Sequence, residues 1–132
     1  MHKFYTAFTK EIDNPEAAVR DITEQLKPEE NMLKNTVGIV HFYYEFAETG
    51  VCRAIADALP FELVGCVSSY SATNGGYGDI FLSVTMLTSD QAEFSVKILE
   101  DMDAKPREHI SREITRLFEE LCLEKNPKSC GL

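Results

Sequence analysis

The sequence predicts an α/β fold with a mixed β-sheet and flanking helices, in the order β-α-β-α-β-β-β-α. Three observations carry this prediction. Short apolar runs that suit buried strands alternate with segments whose apolar residues have helical spacing. A β-α-β unit stands in the middle of the chain, which indicates a pair of parallel strands. Two later runs alternate between apolar and polar residues, as antiparallel strands with one covered face do.

The length and composition indicate one α/β domain over residues 1–132. With 44% hydrophobic and 27% charged residues, the composition is that of a globular protein. The net charge of -9 argues against a nucleic-acid partner, because phosphate binding needs clustered Lys and Arg. The sequence shows neither a long apolar segment nor a signal peptide, so we predict a cytoplasmic protein without a membrane partner. Its four cysteines are predicted to be free thiols.

The first half of the chain supplies two strands and a helix between them. Phe4–Thr9 is aromatic and Thr-rich, which favours a strand. A helix is predicted next, with Asn14 as its cap, Pro15 at its first position and Pro28 at its end. One face of that helix is apolar: Val19, Ile22 and Leu26. The nearly continuous apolar run 36–44 predicts a strand that is buried on both faces.

The second half adds a helix, three strands and a last helix. Thr49 is predicted to cap a helix that ends at Pro60, and Phe61–Cys66 is the next buried strand. Ile80–Leu87 and Phe94–Leu99 alternate and are separated by a short turn, so they are predicted to pair antiparallel near a sheet edge. The last helix carries one apolar stripe: Ile110, Ile114, Leu117, Phe118 and Leu121. Residues 130–132 resemble the beginning of another strand, which indicates a chain truncated before it.

Polar side chains follow the two parallel strands at the point where each strand ends. Because these ends meet at one edge of a sheet, a small polar ligand is predicted to bind there, and free N–H groups at the next helix start would favour an anion. The alternative is that these Ser, Thr and Asn side chains only bond their own backbone. The predicted ligand-binding residues are Tyr44, Glu45, Cys66, Ser68, Ser69, Thr73 and Asn74.

The glycine-rich run 74–78 is predicted to be a hairpin turn. It lacks the Gly-Lys-Ser/Thr ending of a phosphate-binding loop, and a strand follows it in place of a helix. An Asn-Gly step between two strands is a typical hairpin signal. The histidines are far apart and the cysteines lack zinc spacing, so neither a metal nor a cofactor is predicted.

Two alternative functions remain open from the residues. Cys66 with His41 would suit a Cys-dependent hydrolase or transferase, although their distance cannot be derived from the sequence, and a buried Cys beside a core His is the more common arrangement. An exposed edge strand over Phe94–Leu99 would suit a self-association or interaction module. We predict a protein that is not an enzyme.

Residues 36–99 resemble the amino-terminal part of a FIST domain, a sensory module of signal transduction proteins. The resemblance is carried by the strand Val37-Gly38-Ile39-Val40, the helix end 54–60, the Val64-Gly65-Cys66 step with its hydroxyl run and glycine-rich turn, and the strand 82–87. It implies a non-catalytic intracellular sensor that binds small ligands, amino acids among them, and acts on a downstream signalling domain or protein. Gly65, Cys66, Ser68 and Ser69 match the family's Gly-Cys-hydroxyl turn.

Overall fold

The computed structural model describes residues 1–69, 71–73, 76–100 and 102–125. The chain divides into two compact units, Met1–Phe94 and Ser95–Leu132. The first unit holds the sheet and the second holds a long helix. The prediction of one α/β domain over residues 1–132 stays a prediction.

The described residues of the first unit form a four-stranded sheet, a short hairpin and four helices. The strands of the sheet are β1 (His2–Thr9), β2 (Asn35–Phe42), β3 (Glu62–Val67) and β6 (Leu82–Ser89). The hairpin consists of β4 (Ser71–Thr73) and β5 (Gly76–Gly78). The helices are α1 (Pro15–Leu26), α2 (Pro28–Asn31), α3 (Glu45–Glu48) and α4 (Val51–Ala58).

The strand order in the sheet is β1-β6-β2-β3. β6 pairs antiparallel with β1 and with β2, whereas β2 and β3 pair parallel. The β2-α3-α4-β3 segment is therefore the crossover unit that the sequence predicts. The predicted α/β fold, with a mixed sheet and flanking helices, is confirmed.

The helices cover one face of the sheet, which we call the helix face. Alternate residues of each strand point toward it, because side chains change sides at every residue of a strand. The register places Ala7, Val84 and Val40 side by side on this face. The core contains residues of β1, β6, α1, α3 and α4: Ala7, Ala18, Ile22, Leu26, Phe46, Val51, Ile55, Leu59, Leu82, Val84 and Met86.

The opposite face of the sheet, which we call the open face, carries the other half of the strand residues. Phe4 on β1 is 70% exposed and Val64 on β3 is 44% exposed. At one end of this face Phe8 stacks on Phe81, with ring centroids 5.1 Å apart. β2 carries apolar side chains on both faces, which explains its nearly continuous apolar sequence. The prediction that it is buried on both faces is wrong, because only Val37 and Gly38 are buried and His41 is exposed.

The predicted cap of α1 is present. Asn14 accepts a hydrogen bond from the Ala17 N–H at 3.0 Å, and Pro15 occupies the first helical position. The helix ends at Leu26 because Lys27 adopts a left-handed conformation and Pro28 begins α2. Local sequence signals thus determine both ends of this helix.

Helix α1 also holds the outer edge of β1. The Gln25 amide donates to the Phe8 carbonyl at 2.8 Å, and its oxygen accepts from the Phe8 N–H at 3.1 Å. Thr9 donates to the Asp21 carboxylate at 2.9 Å. A side-chain amide therefore pairs with one residue of the edge strand as a neighbouring strand would.

Three further local predictions are wrong. The strand predicted over Phe61–Cys66 is not buried, because β3 ends the strand order of the sheet and all its residues except Leu63 are exposed. Residues 92–100 form neither a helix nor a strand, so the predicted strand Phe94–Leu99 is absent. Its expected partner β6 is already paired on both sides, with β1 and β2, and has no free edge. Helix α4 is capped by Gly50, with φ of 82°, in place of Thr49, whose hydroxyl donates to the Glu45 carbonyl at 3.1 Å.

The second unit contains a short 3₁₀ turn, Met102–Ala104, and the helix α5, Arg107–Lys125. Lys105 and His109 both approach the Glu113 carboxylate, at 3.3 and 3.4 Å. Arg116 and Glu120, four residues apart on the helix, form an ion pair at 2.8 Å. Of the predicted apolar stripe, Ile114 and Phe118 are exposed, and the side chain of Leu121 lies outside the described residues.

Within the described ranges, none of the helices combines the length and the apolar character that crossing a membrane requires.

A glycine allows β3 to lie against β2. Gly65 is the register partner of Val40, and a methyl group at Gly65 would overlap the Val40 carbonyl oxygen. That oxygen belongs to the backbone of a central strand and cannot rotate away. The close approach of the two strands therefore requires a residue without a side chain at this position.

We expect Gly65→Ala to lower the free energy of unfolding by about 2 kcal/mol or more, because the backbone of β3 has to shift. The matched control is Gly78→Ala, where a methyl group would meet no atom within 4 Å. Urea unfolding followed by circular dichroism measures both variants. Equal unfolding midpoints for the two variants would contradict this account of the β2–β3 contact.

Candidate functional site

The ends of the two parallel strands lie together, as the sequence predicts. The Ser68 N–H donates to the Phe42 carbonyl at 2.8 Å, which extends the pairing of β2 and β3 beyond their last ladder residues. Ser68 is half-buried and Ser69 is exposed. The beginning of the hydroxyl run is thus fixed beside the end of β2.

Tyr44 and Glu45 begin α3 directly after β2. The Tyr44 hydroxyl donates to the Glu45 carboxylate at 3.2 Å, and its ring lies 4.6 Å from that of Tyr43. The hydrogen bond with Tyr43, followed by that with Glu45, raises the pKa of Tyr44 to about 12. The phenol is therefore a hydrogen-bond donor over the whole physiological pH range.

Cys66 lies on the open face of the sheet. It belongs to a row of polar residues that runs across three neighbouring strands. The register pairs Ser83 of β6 with His41 of β2, and His41 with Cys66 of β3. Neighbouring strands are about 4.8 Å apart, so the side chains of such partners are in mutual reach. We call Ser83, His41 and Cys66 the polar row.

The three members of the polar row differ in exposure. Cys66 and His41 are exposed, whereas Ser83 is 5% exposed. Within the described part of the chain, no other residue hydrogen-bonds the Ser83 hydroxyl. A buried hydroxyl without a partner is uncommon in folded proteins, since it costs about 1–3 kcal/mol.

The β4–β5 hairpin lies over the end of the open face beside the polar row. A methyl group at Gly76 would be 3.7 Å from Phe81 and 3.8 Å from Phe8, which is ordinary packing distance. Phe8 precedes Ser83 in the same row across the sheet. The hairpin and the two stacked rings therefore cover Ser83, while His41 and Cys66 stay uncovered next to them.

The predicted site residues divide between the two faces of the sheet. Cys66 is on the open face, and Thr73 ends β4 in the hairpin that covers this face. Glu45 is the first residue of α3 and Tyr44 is its N-cap, and Phe46 of the same helix enters the core on the helix face. Ser68 and Ser69 lie at the strand end between them. Asn74, together with the predicted Asn74–Gly75 turn, lies outside the described residues; β4 and β5 pair antiparallel on either side of it.

Ser83, Phe8 and Phe81 were not predicted as site residues. The alternation in β6 does place Ser83 on the face opposite Leu82 and Val84, but only the strand order shows that this face meets β2 there. The sequence suggested His41 and Cys66 as a candidate base and nucleophile, but the distance between them could not be derived from it. The parallel register makes them direct neighbours.

A groove of about 780 Å³ lies near the opposite end of the parallel strands, where α1 and α4 end and α2 begins. Glu24, Lys27 and Glu30 give it a charged lining, together with Pro28 and Pro60. The sequence did not predict this groove, because it is formed where segments distant in sequence meet. Because none of its lining residues belongs to the polar row, a variant in this groove is a control for variants in the row.

No group of three or more His, Cys, Asp or Glu among the described residues is arranged to hold a metal ion. Comparisons with protein-family models, with curated proteins and with solved structures gave no match. The resemblance to the FIST family therefore stays a prediction.

The high pKa of Tyr44 gives a pH test of the strand end. The folded-state pKa lies above the value of about 10 for an unfolded chain, so the stabilisation is complete below pH 10 and is lost as the pH rises toward 12. We expect the alkaline absorbance titration of the native protein to contain one tyrosine that ionises near pH 12. Glu45→Gln should bring that ionisation to a lower pH, and Tyr44→Phe should remove it. A titration that is the same in wild type and Glu45→Gln would refute the contact.

Proposed function

We propose that the protein is a non-catalytic, cytoplasmic sensor domain that binds a small polar molecule, with amino acids and related carboxylates as the first candidates. Binding would be passed to a downstream signalling domain or protein. The observation that carries the proposal is the polar row beside the hairpin, where a buried hydroxyl without a described partner adjoins two uncovered polar side chains.

The chemistry of the row suits a small polar ligand. Ser83 can donate and accept, and the His41 imidazole has one donor and one acceptor when neutral. A ligand group that reaches Ser83 beneath the hairpin would give its hydroxyl a hydrogen bond that no described residue provides, so it would gain more there than at an exposed hydroxyl. The stacked Phe8 and Phe81 rings beside Ser83 would supply an apolar wall.

The hairpin offers a means of coupling. It consists of two strands of three residues each and rests on the open face through Gly76. Such a short hairpin has little stability of its own. A ligand in contact with both the hairpin and the polar row would favour one hairpin position over others, which is what a sensor requires.

The test is a thermal-shift screen against amino acids and small carboxylates. A ligand that binds only the folded state adds about 2.7 kcal/mol at a hundredfold excess over its Kd. We expect Ser83→Ala to raise the Kd about tenfold, because the ligand loses its buried hydrogen bond. His41→Gln should weaken binding as well.

The control variant is Glu24→Gln, in the groove at the other end of the parallel strands. It should bind as the wild type does. A ligand whose binding is lost in Glu24→Gln and unchanged in Ser83→Ala would place the site in the groove. A panel without a single binder would refute the proposed ligand class.

A Cys-dependent hydrolase or transferase is the second candidate, because His41 and Cys66 are register partners on the open face. A nucleophilic Cys needs a base within hydrogen-bond reach, and His41 is the neighbour of Cys66 across the ladder that would serve as one. The expected result is repeated turnover of p-nitrophenyl acetate that both Cys66→Ser and His41→Gln abolish. Turnover that persists in Cys66→Ser would exclude this function.

A further inference from the structure

We propose that Cys66 is a site of reversible covalent modification, at which the thiol exchanges with small, polar disulfides and His41 carries the proton. The inference does not depend on the sensor function. It rests on the polar row and on the position of β3 at the edge of the sheet.

Cys66 is exposed and lies on the last strand of the described sheet. β3 has only β2 as a neighbour in the described sheet, so one side of Cys66 faces away from the other strands. The side chain is on the open face, where Val64 of the same strand is also exposed. Exchange requires in-line approach of a disulfide to the sulfur, and this position permits it.

His41 is the group that can take the thiol proton. It is the register partner of Cys66 and is exposed on the same face. Its other cross-strand partner is Ser83, which has a buried hydroxyl without a described partner. A polar substituent of the incoming disulfide can hydrogen-bond the exposed His41, beside which Ser83 lies buried, while its sulfur meets Cys66.

The exchange step balances without a further reactant. His41 accepts the proton of Cys66, and the thiolate attacks one sulfur of the disulfide. The bond between Cys66 Sγ and that sulfur forms as the original S–S bond breaks. The departing thiolate takes the proton from His41 and leaves as a free thiol. A small thiol reverses the same step and restores Cys66.

Cys52 provides the internal comparison. It lies on α4 and is half-buried, and burial raises the pKa of its thiol to about 11. Cys52 should therefore hold its proton at neutral pH and react slowly. The two thiols belong to the same compact unit, so their reactivities can be compared within one molecule.

The experiment uses the full chain with Cys122→Ser and Cys130→Ser, which leaves these two cysteines. The probe is bis(2-hydroxyethyl) disulfide, chosen because it is neutral and is not repelled by a chain of net charge -9. Intact mass spectrometry and peptide mapping follow the reaction at pH 7.5. We expect Cys66 to be modified at least about tenfold faster than Cys52, with full reversal by a small thiol.

His41→Gln tests the proton carrier. It should slow modification of Cys66 about three- to tenfold at pH 7.5, and the difference between the variant and the wild type should narrow as the pH rises, because hydroxide then takes over the role of the base. Ser83→Ala should slow the reaction less. Equal rates at Cys66 and Cys52 would overturn the proposal. This comparison is made within one chain and does not require the His41→Gln or Ser83→Ala variant to fold. A folded His41→Gln variant with the wild-type rate at pH 7.5 would overturn the role of His41.

Discussion

The contact between Gly65 and the Val40 carbonyl is the constraint on which the arrangement of the site depends. It lets β3 approach β2 closely enough for a parallel ladder that extends from Glu62 to Val67. That ladder sets the register, and the register places Cys66 beside His41 on one face and Ser68 beside the end of β2. A side chain at position 65 would alter all these relationships together, because a one-residue slip moves every side chain to the other face.

The two faces of the sheet carry different tasks. The helix face is closed by α1, α3 and α4, whose apolar residues fill the core and supply most of the stabilisation. The open face is covered only in part, by the hairpin on the Phe8–Phe81 pair. Polar residues beside such a partial cover have both a low-polarity wall and access to solvent. This is the kind of position where small-molecule sites are usually found.

Local signals predicted much of the fold, whereas the site depended on pairing between distant segments. Asn14 and Pro15 specify the start of α1 through their own chemistry, and the structure agrees. The alternation of apolar and polar residues in 94–99 is a local signal as well. This segment does not pair with β6 as predicted, because β1 and β2 occupy both edges of that strand. β1 and β6 are about 80 residues apart, so no pattern within either one reveals their pairing. The link of Ser83 to His41 is hidden in the sequence for the same reason.

The Gln25 amide on Phe8 has a consequence for how molecules of this protein meet one another. An edge strand with free N–H and C=O groups is a template on which a strand from another molecule can grow. Both groups of Phe8 are occupied by Gln25, and helix α1 stands beside them. A foreign strand could not continue its ladder past this point without displacing the amide. At its β1 edge the sheet is thus protected from pairing with strands of other molecules. Its β3 edge, which carries Cys66, has no such side-chain cover among the described contacts.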